Sequence, residues 1–85
     1  YAAPGGEIDI LAKRGATLAA IEVKARAERV QALEAITPRQ RRRIERAASI
    51  FLAQNPKFAN LAVRFDVMLV VPWRLPHHIA DAWRP

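Results

Sequence analysis

Apolar and charged residues alternate with a period of two in two neighbouring stretches. The first is Glu7-Ile8-Asp9-Ile10-Leu11-Ala12, and the second ends in Ile21-Glu22-Val23-Lys24. This period sends successive side chains to opposite faces of a strand, so residues 7–12 and 17–24 are predicted as strands. Between them lies Lys13-Arg14-Gly15-Ala16, whose glycine can take the positive φ of a tight hairpin. If residues whose numbers sum to 31 face each other, Gly15 takes the first central position of a type II′ turn. One face then pairs Ile8 with Val23, Ile10 with Ile21 and Ala12 with Ala19, and is expected to belong to the core. The other pairs Asp9 with Glu22, Glu7 with Lys24 and Leu11 with Ala20. A slip of one residue sets Ile8 against Glu22 and breaks the apolar face. A slip of two keeps the faces and sets Glu7 against Glu22, so both registers gather the charged residues.

Residues 25–36 are mixed in character and read as a loop with a short helical turn around residues 31–35. Thr37-Pro38-Arg39-Gln40 is a helix start: Thr caps, Pro takes the first helical position, and Gln returns a capping-box bond. The helix is expected to run to Ala53 or Gln54, because Asn55 precedes Pro56 and is steered out of the helical region. Ile44, Ala47, Ala48, Phe51 and Leu52 share one face. Arg39, Arg42, Arg43 and Arg46 stripe the opposite face, with Arg41 at the flank. Residues 63–71 are nearly continuous apolar positions, as in a central strand covered on both faces. Pro72 closes that strand, and residues 73–85 are proline-rich with a short strand or turn. The order strand, strand, helix, strand predicts one α/β domain over residues 1–85 with a mixed sheet.

Composition narrows the function classes. The chain has 85 residues and no cysteine, which excludes disulfides, zinc–thiolate sites and thiol chemistry. No apolar run approaches the ~20 residues that span a bilayer, so a soluble, cytoplasmic protein without a membrane partner is the expectation. A core this small leaves room for a missing element or for a homodimer. The chain starts at Tyr1 within what reads as a loop, and further residues are expected before it. Net charge is +6, and eleven of the fourteen cations are arginine. That balance favours a polyanionic partner such as nucleic acid, whose phosphates suit the guanidinium fork. An arginine-rich proteome would give the same bias.

Three carboxylates and an ammonium on one patch of a two-stranded ribbon need a counterbalance, because close acids repel. A solvated strand face is the competing explanation for such alternation. A divalent cation such as Mg²⁺ (or Mn²⁺) suits the set, since it takes one or two carboxylates with water and substrate phosphate. Asp9 and Glu22 would be its ligands, with the Val23 carbonyl as a third. Lys24 would orient a water and stabilise charge on phosphorus. Glu7 is a supporting residue: a ligand, a group behind the ligands, or the ion-pair partner of Lys24.

The ordered series Gly6-Glu7-Ile8-Asp9-Ile10-Leu11-Ala12, Ile21-Glu22-Val23-Lys24, Thr37-Pro38-Arg39-Gln40-Arg41-Arg42 and Val63-Arg64-Phe65-Asp66-Val67 resembles the YraN-like family of predicted bacterial endonucleases. That family is distantly similar to archaeal Holliday-junction resolvases. The resemblance covers nearly the whole chain. It implies a restriction-endonuclease-like (tRNA-endonuclease-like) three-layer sandwich with the PD-(D/E)XK site, and Asp9, Glu22 and Lys24 as catalytic residues. Ile8 stands where the motif has proline. The superfamily's opening helix, with its additional acid, is expected to lie before Tyr1. Gln40 is followed four residues later by Ile44, so the Gln-X-X-X-Tyr motif of some recombination nucleases is not carried over.

These readings predict a metal-dependent endonuclease acting on DNA rather than RNA, with a preference for branched or structured DNA implied by the resemblance. Nucleic-acid contacts are assigned to Arg26, Arg29, Arg39, Arg42, Arg43 and Arg46. The alternatives are a catalytically silent nucleic-acid-binding module with a nuclease fold, and a basic surface that meets an acidic protein. Arg64 and Asp66 are read as a structural pair, and His77-His78 as tail surface. Trp73 and Trp83 are expected to pack the tail onto the sheet rather than stack bases.

Overall fold

The computed structural model describes residues 1–4, 6–27 and 32–85. Its strands are β1 (Ala2–Ala3), β2 (Gly6–Glu7), β3 (Ile10–Arg14), β4 (Thr17–Ala25), β5 (Ala62–Val70) and β6 (His77–Trp83). The helices are α1 (Ala32–Ala35) and α2 (Pro38–Gln54). β3 to β6 form one sheet in that order, and β1 and β2 form a small separate ribbon. β3–β4 and β5–β6 are antiparallel, whereas β4–β5 is parallel. The mixed sheet follows from the connections: two residues turn a hairpin, while a parallel return needs a crossover, here supplied by α2.

The hairpin register is the one that sums to 31, from Ile10↔Ile21 to Arg14↔Thr17. Gly15 has φ +57, and Ala16 is not among the residues with positive φ, as a type II′ turn requires. Toward the other end the ladder stops early, and this corrects the expected pairing of Ile8 with Val23. The Ile8 N–H donates to the Tyr1 carbonyl at 2.7 Å, and the Tyr1 nitrogen donates to the Ile8 carbonyl at 2.7 Å. Ile8 thus leaves β4, joins the β1–β2 ribbon and buries its side chain in the main core.

The expected core face is also corrected. Helix α2 covers the face that carries Leu11, Ala20, Phe65 and Val67 and packs on it through Ile44, Ala47 and Ala48. On the opposite face Ile10 remains 41% exposed, although Ala19 and Ile21 are buried. The charged residues therefore share their face with the helix. They do so because they lie at the end of the sheet, past the apolar stripe that α2 covers. Among the described residues there are two layers, sheet and α2; the further helical layer of a three-layer sandwich is not one of them.

Helix α2 starts and stops where its sequence predicts. The Thr37 hydroxyl accepts from the Gln40 N–H at 3.1 Å, and the Gln40 side chain accepts from the Thr37 N–H at 2.9 Å. Asn55, with φ −130, breaks the helix before Pro56. The tail forms a longer strand than expected. Trp83 is buried, stacks on Phe65 with centroids 5.2 Å apart, and donates its indole N–H to Glu45 Oε2 at 2.8 Å. Trp73 contradicts the packing expectation, being fully exposed.

On the open face Asp66 is wholly buried. Arg64 grips it with two bonds of 2.9 Å, His78 Nε2 lies 2.8 Å from Oδ2, and the Asp81 N–H donates to Oδ1 at 2.9 Å. The register shifts between Phe65 and Val67, so β6 carries a bulge there, and Asp81 takes φ 54. Asp66 satisfies the N–H that the bulge turns inward, which explains a buried acid in a central strand. The Arg64–Asp66 pair is structural, as its spacing suggests. No described helix is long and apolar enough to cross a membrane.

Candidate active site

The broken ladder creates the site. Residues of one strand alternate in the direction of their backbone groups, and Val23 points its N–H and carbonyl toward the β3 side, like Ile21 and Ala19. With Ile8 gone to Tyr1, the Val23 N–H is taken by the Asp9 side chain, Oδ2 accepting at 2.9 Å. The Val23 carbonyl shares that edge, beyond the last β3–β4 pair. Asp9 thus reaches β4 through its side chain from the bend between β2 and β3, and not as the ladder partner of Glu22.

Glu22 and Lys24 stand on the β4 face that also carries Ala20, two residues apart. The Lys24 Nζ lies 3.7 Å from Glu22 Oε2, and both side chains are largely buried. Lys24 therefore takes Glu22 as its ion-pair partner, not Glu7. Burial, together with a hydrogen bond that the protonated Glu22 donates to Asp9 and with that residue's negative charge, pushes the Glu22 carboxyl up to about 7. The shared hydrogen bond with Glu22 holds Asp9 below its ordinary value, aided by the Val23 N–H and the Lys24 charge and opposed by burial. The two carboxyls are coupled, since each one's negative charge disfavours ionisation of the other, and Glu22 is the one raised.

These groups line an open cleft of about 680 Å³, with Glu7 from β2 and Gln40, Arg43 and Ile44 from α2 on its other walls. That size suits a nucleotide-scale ligand. Gly6 sets the approach of the β1–β2 ribbon to the helix: a Cβ at this position would lie 2.6 Å from the Arg43 carbonyl oxygen. Only a glycine lets the ribbon carry Glu7 to the cleft rim at this distance.

Asp9, Glu22, Val23, Lys24 and Glu7 are thus brought to one cleft, as the spacing suggests, and the structure adds Arg43, which the sequence places only in the helix stripe. Arg39, Arg42 and Arg46 are exposed along α2 outside it. Arg26 is partly committed elsewhere, donating to the Ala25 and Ala35 carbonyls at 2.7 and 3.2 Å. Arg29 lies outside the described residues. Gln40, which the sequence pattern marks only as a capping residue, also lines the cleft. The signal for that role is in the helix register, which sets residues 40, 43 and 44 on adjoining positions.

Among the described residues, no group of three or more His, Asp or Glu side chains could hold a metal ion. Two carboxylates and a backbone carbonyl remain, which is a donor set that Mg²⁺ accepts when water and phosphate complete its shell. Two neighbouring carboxyls that repel each other when ionised favour positive charge between them, so these residues fit a hard divalent cation.

A family model described as uncharacterised protein family UPF0102 matches residues 1–70. UPF0102 protein amb4503 of Paramagnetospirillum magneticum is 60% identical over 79 residues, covering 93% of this chain and 61% of its own. A UPF0102 protein of Parvibaculum lavamentivorans is 58% identical over 82 residues, covering 96% and 62%. One from Methylocella silvestris is 54% identical over 82 residues, covering 96% and 66%. The chain spans a little under two thirds of the length of these curated relatives.

Proposed function

The chain belongs to the UPF0102 family, and we propose that it carries the site of a metal-dependent nuclease that hydrolyses phosphodiester bonds in DNA. The observation that supports this most is the meeting of Asp9, Glu22, the Val23 edge and Lys24 in one cleft beside Arg43. The fold in this reading is the restriction-endonuclease-like sandwich, of which the described sheet and α2 would be the central part. Asp9 and Glu22, with the Val23 carbonyl, would hold Mg²⁺ or Mn²⁺. When bound, such a cation supplies Lewis acidity to a phosphoryl oxygen and to water.

The chain's own residues have separable tasks. Asp9 is fixed by the Val23 N–H, so its second oxygen stays turned to the cleft. Glu22 would face the cation as a carboxylate, its charge held by the cation and by Lys24 at 3.7 Å. Lys24 beside it donates hydrogen bonds to the negative charge that builds on the phosphoryl oxygens. As the water oxygen bonds to phosphorus it releases a proton to solvent, the ester P–O bond breaks, and the leaving oxygen takes up a proton from solvent. Arg43 on the helix wall is placed to neutralise a neighbouring phosphate.

A second reading, a nuclease-fold module that binds nucleic acid without cleaving it, draws on the small donor set of two carboxylates. One experiment separates the two. The full-length protein is incubated with Mg²⁺ or Mn²⁺ and labelled linear, flapped and four-way DNA. Cleavage is expected, and Lys24→Ala should abolish it while leaving binding within about threefold. Binding without cleavage of any substrate with either metal would leave only the second reading.

A further inference from the structure

We propose that Trp73, in the connection between β5 and β6, stacks an unpaired nucleobase beside the cleft, so that the site takes nucleic acid with single-stranded segments rather than continuous duplex. The proposal rests on the nucleic-acid reading of the cleft. Trp73 is 102% exposed and Leu75 is 91% exposed, a combination that large apolar residues rarely show without a partner. Trp73 also has φ 64, a conformation that bulky residues seldom adopt. The turn itself imposes that backbone: the Arg74 N–H donates to the Val71 carbonyl at 3.3 Å, with Pro72 ahead of Trp73 as in a type II turn, and the ring so presented meets no aromatic neighbour among the described residues. Pro72 and Pro76 bracket the turn and stiffen it, so the indole is presented in a limited set of directions.

Position ties this ring to the cleft. β4 and β5 run parallel with Lys24 opposite Leu69, so the connection after β5 leaves from the sheet end that carries Glu22 and Lys24. Ligands of such sheets gather outside the carboxyl ends of their parallel strands. From Leu69 to Trp73 the chain can reach at most about 13 Å, at about 3.3 Å per residue. A nucleic-acid strand covers that distance in about four nucleotides at about 3.4 Å each. Pro72 and Arg26 line one shared hollow at this end.

Charge fits the same ligand. Arg74 follows Trp73, and no acidic residue occurs between Asp66 and Asp81. An aromatic face with neighbouring cations is the general recipe for single-strand binding, since every base offers a π-face and every nucleotide a phosphate. A paired base has its faces covered, so duplex cannot use the ring.

The test is fluorescence anisotropy of the full-length protein with labelled oligothymidine, a splayed-arm duplex and a blunt duplex, in EDTA. Two variants are compared with wild type. Trp73→Asn removes the ring and keeps a residue that tolerates positive φ, so folding is preserved; Trp73→Phe keeps an aromatic face. Trp73→Asn should weaken oligothymidine and splayed-arm binding by about five- to 150-fold, the range for one stacked base, and leave the blunt duplex unchanged. Trp73→Phe should restore most of the loss. Wild-type binding that Trp73→Asn leaves unchanged on all three oligonucleotides would overturn the role of Trp73 and leave the cleft reading standing. So would a Trp73→Asn that turns a dimer into a monomer in sedimentation with binding intact, since the ring would then serve self-association. Absence of binding by wild type to any of the three would sink both readings together.

Discussion

At the scale of single residues, the decisive feature is the Glu22 carboxyl, buried beside Asp9. Glu22 is raised to about 7 from an ordinary 4.5, chiefly by burial and by its neighbour Asp9. Between those values the folded chain binds a proton that the unfolded chain has released. The resulting stability is fully present below about pH 4.5 and is lost as pH rises through 7. Asp9 is shifted the opposite way, below 3.8, so its own contribution changes outside this window. Glu22→Gln removes the titration and keeps the size. In urea unfolding, wild type should lose on the order of 2–3 kcal/mol between about pH 5 and 8 relative to this variant. Parallel curves for the two proteins would show that Glu22 ionises without strain. Lys24, whose ammonium lies 3.7 Å from Glu22, opposes the shift but does not cancel it, because burial and Asp9 outweigh it.

At the scale of elements, the site depends on where strands stop. Hairpin parity correctly gives the register from Ile10 to Arg14, because turn chemistry and an alternating pattern both fix it. It fails at Ile8, where a competing pair with Tyr1 offers two backbone bonds and a place in the core. Periodicity knows only which residues share a face, and it cannot see a second ribbon that claims the strand's end. It also misassigns the covered face, since alternate apolar residues on both sides leave the choice to tertiary packing. Helix α2 is fully legible, because capping box, proline and apolar stripe all agree. The ribbon that displaces Ile8 lies against α2 through Gly6. A methyl group there meets helix backbone, which cannot yield. Gly6→Ala should therefore destabilise the fold by about 1–3 kcal/mol. It should also speed amide exchange at Ile8, as the ribbon lifts away from the helix. Unchanged exchange at Ile8 would mean that the close approach carries no constraint.

At the scale of the whole molecule, charge is laid out in two zones. The carboxylates occupy one end of the sheet, while Arg39, Arg42 and Arg46 run along the exposed face of α2. Composition signals a polyanionic partner, and the helical register signals the stripe. Neither can separate Arg43, which lines the cleft, from its neighbours, because that division depends on how the ribbon and sheet abut the helix. If the stripe meets phosphates, replacing Arg39, Arg42 and Arg46 by Ala should flatten the dependence of log affinity on log salt by about 0.9 for each phosphate that is no longer neutralised. The weakening should be the same for any sequence of duplex DNA. A salt slope identical to wild type would assign the stripe to solvent, and the absence of salt-dependent binding altogether would favour an acidic protein as partner.

Most depends on whether Asp9 and Glu22 hold a cation next to Lys24. A crystal structure of the full-length protein grown with Mn²⁺ at about pH 8, above the Glu22 value of about 7, tests it most directly. One anomalous peak is predicted between the two carboxylates, about 2.0–2.3 Å from an oxygen of each and near the Val23 carbonyl, with no such peak in Glu22→Gln. A Mn²⁺-soaked crystal with no ion there, and with Asp9 still bonded to the Val23 N–H, would contradict it.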